Sequence, residues 1–379
     1  MKNANRLLVT ALLLFLYSTD VFAEIEFSGY GSIVMGKTMG SDEVFTADFF
    51  DVGQYSDDLS FKPESLFAIQ TRGHLSEDLT YTAQLVAKGV DDFQPEFDWY
   101  YLTYNATDNL SIMAGRRTIP MYYYSEFSEV GYAYPWMRPP SNLYWWQVTI
   151  FNGLHVSYNM ASGDYDHNIT LFYGNENSEA NKEMQFYFPQ YESTDSFWKN
   201  ITGFNYSLVG YSFDLRFVYF VHDTERTHNQ FDGSILFNDF SQEFIGLGGN
   251  IVLADFTILF DYNFVEREYD ILQNGASSRK VEWPTYLLSL VYNINDYQPY
   301  IVYSHADHSR FDNTTDDGLG GNDDYEQHDL IGLGLRYNFA ASAALKIQYD
   351  IFDDQGYAPR GWDFHGDSKA FSIGVDFVF

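Results

Sequence analysis

From about residue 25 to the C-terminus, apolar side chains recur at every second position. Phe371, Ile373, Val375, Phe377 and Phe379 share one face of an extended chain, with Ser372, Gly374 and Asp376 on the other. Leu345, Ile347, Tyr349 and Ile351 alternate in the same way with Lys346, Gln348 and Asp350. So do Ile331 to Phe339, Phe256 to Phe264 and Phe213 to Val221. A period of two is the signature of a β-strand with two unlike faces. The pattern predicts strands near 25–36, 64–75, 79–88, 97–105, 110–117, 147–160, 166–175, 200–209, 211–222, 243–253, 255–266, 284–294, 297–306, 328–339, 343–353 and 369–379. That is sixteen strands. Short connections such as Ser76 to Asp78, Ala106 to Asn109, Gly163 to Tyr165, Ile294 to Asp296 and Ala340 to Ser342 alternate with long ones at 37–63, 176–199, 223–242, 267–283, 307–327 and 354–368.

A soluble sandwich would alternate too, with its apolar face turned to a core. Strands of about ten residues, alternately short and long connections and a terminal aromatic favour a transmembrane barrel, whose apolar face meets lipid. Composition agrees, since 19% of the residues are aromatic, including 34 Phe and 32 Tyr. Barrels place aromatic girdles at both interfaces, and an even strand count puts both termini on one side. The expected fold is therefore all-β, a transmembrane antiparallel barrel of sixteen strands; fourteen or eighteen meet the same parity condition.

The first residues bear on compartment. Lys2 and Arg6 precede the eleven-residue run Leu7–Tyr17, and Val21-Phe22-Ala23 ends in a small residue. This reads as a signal peptide over 1–23, because the run is too short to span a bilayer. Residues 24–379 then form a single barrel. Without Lys2, Arg6 and Asp20 the formal charge moves from −32 to −33. So acidic a chain repels phosphate backbones, which excludes nucleic acid as a partner. The chain has no cysteine, which excludes disulfides, thiol catalysis and cysteine-ligated metals.

One segment breaks the alternation. Between Thr118 and Trp146, ten of twenty-nine residues are aromatic and four of the chain's ten prolines occur. It joins the fifth and sixth strands, on the side of the long connections. In this organisation the chain resembles the general porins of Gram-negative outer membranes: sixteen strands, a C-terminal Phe, and a long third external loop that folds inward. That resemblance implies a water-filled homotrimer passing small hydrophilic solutes and ions, with lipid and lipopolysaccharide around it. It also makes Val375, Phe377 and Phe379 similar to the signal read by the barrel assembly machinery.

A sixteen-stranded cylinder is too wide to fill with side chains, so selectivity calls for something inside it. In the general porins, acidic loop residues face basic wall residues across the constriction. Glu126 and Glu129 match the acidic role within the loop, 117–146. Candidate cations are Arg72, Arg116, Arg117, Arg216, Arg336 and Lys346. Parity places Arg72, Arg216, Arg336 and Lys346 inward, whereas only one of Arg116 and Arg117 can face the lumen. Pairing with Asp214, Asp261, Asp350 or Asp376 would leave such cations simply solvating the interior. The stretch YAYPWMRPP has no counterpart in the family's third loop. Tyr132, Tyr134, Trp136 and Arg138 either touch solutes or pin the loop to the wall, and packing is favoured because Trp and Pro build rigidity.

Other chemistry is sparse. No G-x-S-x-G, H-E-x-x-H or P-loop pattern occurs, and no cofactor is implied. His305, Asp307 and His308 are the one close His/Asp group, and they leave an outer-membrane hydrolase as a rival reading. Residues 312–326 look like a calcium loop but lack its first Asp and its twelfth-position Glu. The leading expectation is a non-enzymatic pore with mild cation preference, since acidic loops concentrate cations at the mouth. A solute-specific channel is the alternative.

Overall fold

The computed structural model describes residues 25–379 apart from 41, 145, 272–276, 309, 313–325 and 357–365. The signal segment 1–23 and most of the calcium-like stretch lie outside the described residues.

Sixteen antiparallel strands close into a barrel. They are β1 (Ile25–Thr38), β2 (Leu66–His74), β3 (Leu79–Lys88), β4 (Pro95–Asn105), β5 (Leu110–Thr118), β6 (Ile150–Ser162), β7 (Tyr165–Ser178) and β8 (Ser193–Gly210). They continue as β9 (Phe213–Asn229), β10 (Ile235–Leu253), β11 (Phe256–Ile271), β12 (Ser277–Tyr292), β13 (Tyr297–His308), β14 (Glu326–Ala340), β15 (Ala343–Asp354) and β16 (Ser368–Val378). Each strand pairs with its sequence neighbours, and β1 closes on β16 with Ile33 opposite Val375. A short piece, Arg310–Asp312, continues the pairing of β13 along β12. Closure leaves no sheet edge, as hydrocarbon requires.

Parity is as the alternation predicts. Ile331, Leu333, Phe371, Phe256 and Tyr262 are exposed on the outer face, while Lys346, Gln348, Asp350, Ser372 and Asp376 are buried on the inner one. Aromatics gather outside near the short turns: Tyr297 stacks on Tyr337 at 4.7 Å, Phe256 meets Tyr292 at 4.9 Å, and Tyr165 meets Phe213 at 6.0 Å. They form the girdle of one interface. Phe379 exchanges backbone hydrogen bonds with Gly29 (2.9 and 3.0 Å), so both ends of the barrel meet at the side of the short turns.

Two expectations are corrected. Stretches expected as loops at 193–199, 223–229, 235–242 and 277–283 are strand, so this part of the wall stands taller. There the inward set continues through Thr224, Arg226 and His228, while the outward set turns polar at Asp223 and Glu225; the apolar half of the signal stops although the ladder does not. The inner face is also not uniformly polar. Phe151, Phe172, Trp198, Phe220, Phe244 and Trp283 point inward and are buried in one hydrophobic cluster.

The long connections supply much of that cluster. Residues 39–65 contain a hairpin, Phe45–Asp48 with Gly53–Tyr55, whose Phe45, Phe49 and Tyr55 are buried. Residues 179–192 carry α1 (Lys182–Tyr187), which buries Met184 and Tyr187.

Candidate functional site

The segment between β5 and β6 leaves the wall after Thr118. Three residues before, still in the ladder, Gly115 has φ +144°, with Tyr100 O 2.3 Å from where a Cβ would stand. Only glycine fits that close approach. Ile119 N donates to Thr149 O at 2.8 Å, so the segment begins and ends at one point and everything between returns to it.

Wall cations hold it. Arg216 Nη1 donates to the carbonyls of Tyr122 and Tyr123 at 2.9 and 3.1 Å. Arg336 Nη1 donates to those of Tyr132 and Tyr134 at 2.9 and 2.8 Å. Lys346 Nζ donates to Gly131 O and Trp136 O and pairs with Asp376 at 2.8 Å. Gly131 sits so near that a Cβ would lie 2.3 Å from Asp376 Oδ1. On the next side, Asp261 accepts from Tyr123 N at 2.9 Å and Tyr144 Oη at 3.0 Å. Such hydrogen bonds to charged groups contribute more than neutral ones, about 1.5–3 kcal/mol each.

The YAYPWMRPP stretch packs. Trp136 is 1% exposed and donates Nε1–H to Ser289 Oγ at 2.9 Å. Met137 N donates to Gln348 Oε1 at 2.8 Å. Arg138 is buried between Glu64 of the outer hairpin connection and Asp350 of β15, 2.6 Å from each, and also donates to Ser372 Oγ at 2.8 Å. Its ring neighbour is Phe45, 5.2 Å from the guanidinium carbon. Burial opposes the charge, but Glu64 and Asp350 outweigh it and hold the Arg138 pKa above its usual value.

Arg216, Arg336 and Lys346 therefore stand on the inner face as parity implies, yet they bind loop carbonyls instead of facing Glu126 and Glu129. The acids find other partners. Glu126 pairs with Arg117 at 2.6 Å, and Glu129 with Lys88 at 2.5 Å. Arg117 shares its face with Met113 and lines the lumen, but Arg116 also reaches a lumen cavity. The expectation that only one of the two can face inward is therefore corrected: the irregular backbone at Gly115, just before them, breaks the strict alternation. Arg116 pairs with Glu176 of β7 at 2.6 Å. Arg72 lies inward by parity near the short turns, is exposed, and has no ion pair among the described residues. Asp214, named as a pairing acid, lies near the hydroxyl of Tyr123.

Sequence reasoning missed Lys88, Asp51, Asp98 and Tyr30. Lys88 also reaches Asp51 of the outer hairpin at 2.8 Å. Tyr30 Oη donates to Glu129 at 3.3 Å, and Gln84 Nε2 donates to Tyr30 Oη and to Asp98, both at 3.1 Å. Lys88 is in step with Thr80, Thr82, Gln84 and Val86, so parity alone places it inward. Burial works against the Asp51 carboxylate, but Lys88 and Lys182 outweigh it and keep its pKa low. Its neighbour Asp48 is pushed up to about 7 by burial and then by the charge of Asp51.

Three cavities follow this side of the lumen. An outer one of about 260 Å³ is lined by Asp91, Lys182, Glu176 and Arg116. A middle one of about 180 Å³ is lined by Glu129, Glu126, Tyr30 and Trp99, and an inner one of about 660 Å³ by Arg117, Asp214 and Asn250. The outer and middle cavities share Lys88 and Asp98, and the middle and inner share Glu126. Five carboxylates (Asp48, Glu64, Asp98, Glu126, Glu129) and two bases (Lys88, Arg138) line the middle one. His305 is elsewhere, on the outer face, with Nδ1 2.8 Å from Asp329 and its ring against Tyr286. No group of metal-ligating side chains occurs among the described residues.

No family model matches the sequence, and no characterised protein matches it at the sequence level. Solved structures do match. The trimer form of OmpT, an outer-membrane protein of Vibrio cholerae, is 12% identical over 94% of this chain and 99% of its own, with a TM-score of 0.61. The outer-membrane channel DcaP of Acinetobacter baumannii is 11% identical over 96% and 99%, with a TM-score of 0.59. The anion-selective porin of Comamonas acidovorans is 12% identical over 94% and 100%, with a TM-score of 0.55. With its closed barrel of sixteen strands and coverage of almost the whole length of these proteins, the chain has the fold of the outer-membrane porins.

Proposed function

We propose that this protein is an outer-membrane porin that lets small hydrophilic solutes and ions diffuse passively through each barrel. The observation that carries the reading is the succession of cavities joined at Lys88, Asp98 and Glu126. Constriction falls where Glu126 and Glu129 meet Arg117 and Lys88, and the loop 117–146 narrows the lumen. Arg72 faces the inner mouth. Arg138, Arg216, Arg336 and Lys346 act by fixing the loop. The excess of carboxylates in the middle cavity favours cations over anions.

The barrel is not an enzyme in this reading, because His305 and Asp329 lie on the outer face away from the passage. The assembly is a homotrimer, in line with the trimer form of OmpT. It inserts through the barrel assembly machinery by way of its C-terminal strand, after removal of residues 1–23, and sits among lipid and lipopolysaccharide.

Single-channel conductance in a planar bilayer tests this, with and without residues 121–138. Steps in threes that enlarge on deletion are expected. Steps absent in both forms would overturn the channel, and saturable current block by one solute would replace a general pore with a specific one.

A further inference from the structure

Residues 179–192 cover the outer cavity, and four features set them apart from the rest of the wall. Lys182 Nζ pairs with Asp91 and lies 3.6 Å from Asp51 Oδ1, and the other oxygen of Asp51 is 2.8 Å from Lys88. One chain of alternating charge thus runs from Glu129 at the constriction to Lys182 at the surface, where its side chain is 47% exposed. Inward of it, α1 is seated by Met184 and Tyr187, and Asn181 Nδ2 donates to Gln147 O at 2.7 Å, on the segment leading into β6.

The seat has a flaw. Glu183 is 1% exposed, and neither carboxylate oxygen has a hydrogen-bond partner among the described residues. Glu326 and Asp48 repel its charge, Arg226 and Arg267 attract it, and burial followed by Glu326 pushes its pKa well above the carboxylate range. A buried acid without partners opposes the closed arrangement. Ala180, where the segment leaves β7, has φ +46°, a strained backbone for a residue with a Cβ.

We propose that residues 179–192 form a hinged outer lid, held shut by Lys182 between Asp51 and Asp91 and biased to open by Glu183. Opening swings on Ala180 and widens the outer cavity, which regulates the same passage and so rests on the channel reading.

The chain lacks cysteine, so a single thiol reports on the lid. Met184→Cys, buried under the closed lid, is labelled in folded protein with a membrane-impermeant maleimide. Adding Lys182→Met should speed labelling about fivefold, the factor expected for losing one half-exposed ion pair from an opening equilibrium. Adding Glu183→Gln should slow it. Equal rates in all three proteins would overturn the lid without any reference to conductance. Asp51→Cys with Lys182→Cys, bridged by a cleavable bis-maleimide, should abolish current fluctuations that reappear when the bridge is cleaved. Labelling that responds beside unchanged current would overturn regulation, and labelling that responds with no current in any form would overturn the channel reading while the lid stands.

Discussion

Lys88 Nζ stands 2.5 Å from Glu129 Oε1 and at the same time 2.8 Å from Asp51 Oδ2, so one wall ammonium joins the lumen segment to the outer hairpin. It meets the loop acid Glu129 as Arg117 meets Glu126, whereas Arg216, Arg336 and Lys346, expected in that role, hold loop carbonyls instead. Replacing Lys88 with Met leaves Glu129 and Asp51 uncompensated beside the passage. The cation-to-anion permeability ratio should rise about threefold, and Glu129→Gln should lower it by a similar factor. Reversal potentials across a salt gradient measure both, and a ratio below one in the unaltered protein would contradict the acidic lining as the controlling field.

Asp48 gives the selectivity a pH dependence. Its folded pKa, raised to about 7, lies above its ordinary value of 3.8. The native state therefore binds the proton more tightly than the unfolded chain. The stability this group contributes is complete below about pH 4 and is lost as pH rises through 7. Across the same interval the constriction gains a negative charge. Cation preference should rise with a midpoint near pH 7, and the rise should shrink in Asp48→Asn. A midpoint unchanged by that substitution would assign the titration to another group.

Trp136 tests whether the inward segment is structural core. Its ring is buried against Tyr124 and Tyr134, 5.6 and 6.1 Å away, and its indole N–H is taken by Ser289. Trp136→Ala should destabilise the folded barrel by about 3–5 kcal/mol, as large-to-small core changes do. Urea unfolding in detergent reads this. Tyr132→Ala, at a more exposed position, should cost much less. Equal losses would mean that the segment contributes no core.

Much of this was legible in the alternation. Parity placed Arg216, Arg336 and Lys346 inward, because a two-residue period fixes which face a side chain takes. It could not say what they touch. Their partners are backbone carbonyls of Tyr122, Tyr132 and Gly131, which every sequence carries and no residue type marks. Lys88 was missed for the opposite reason: its inward parity was readable, but it ends a strand and no resemblance pointed to it. The buried inward Phe220 escaped because it stands between Tyr219 and Val221, which blurs the period, and Trp198 escaped because its stretch reads as a loop. The tall wall at β9 escaped because its outward positions turn polar at Asp223 and Glu225.

Arg138 joins two acids that are otherwise far apart in the chain, Glu64 and Asp350, and both are nearly inaccessible to water. Arg138→Met keeps the bulk but strands two buried carboxylates, which should cost about 3–5 kcal/mol and loosen the segment from the wall. Arg138→Lys should recover only part, because an ammonium cannot hold Glu64 through two parallel hydrogen bonds while reaching Asp350. The diagnostic variant is Arg138→Met with Glu64→Gln and Asp350→Asn. If the loss comes from uncompensated charge, neutralising both acids should restore most of the unfolding midpoint and return channel noise toward that of the unaltered protein. A triple variant no more stable than Arg138→Met alone would place the contribution of Arg138 in packing on Phe45 instead.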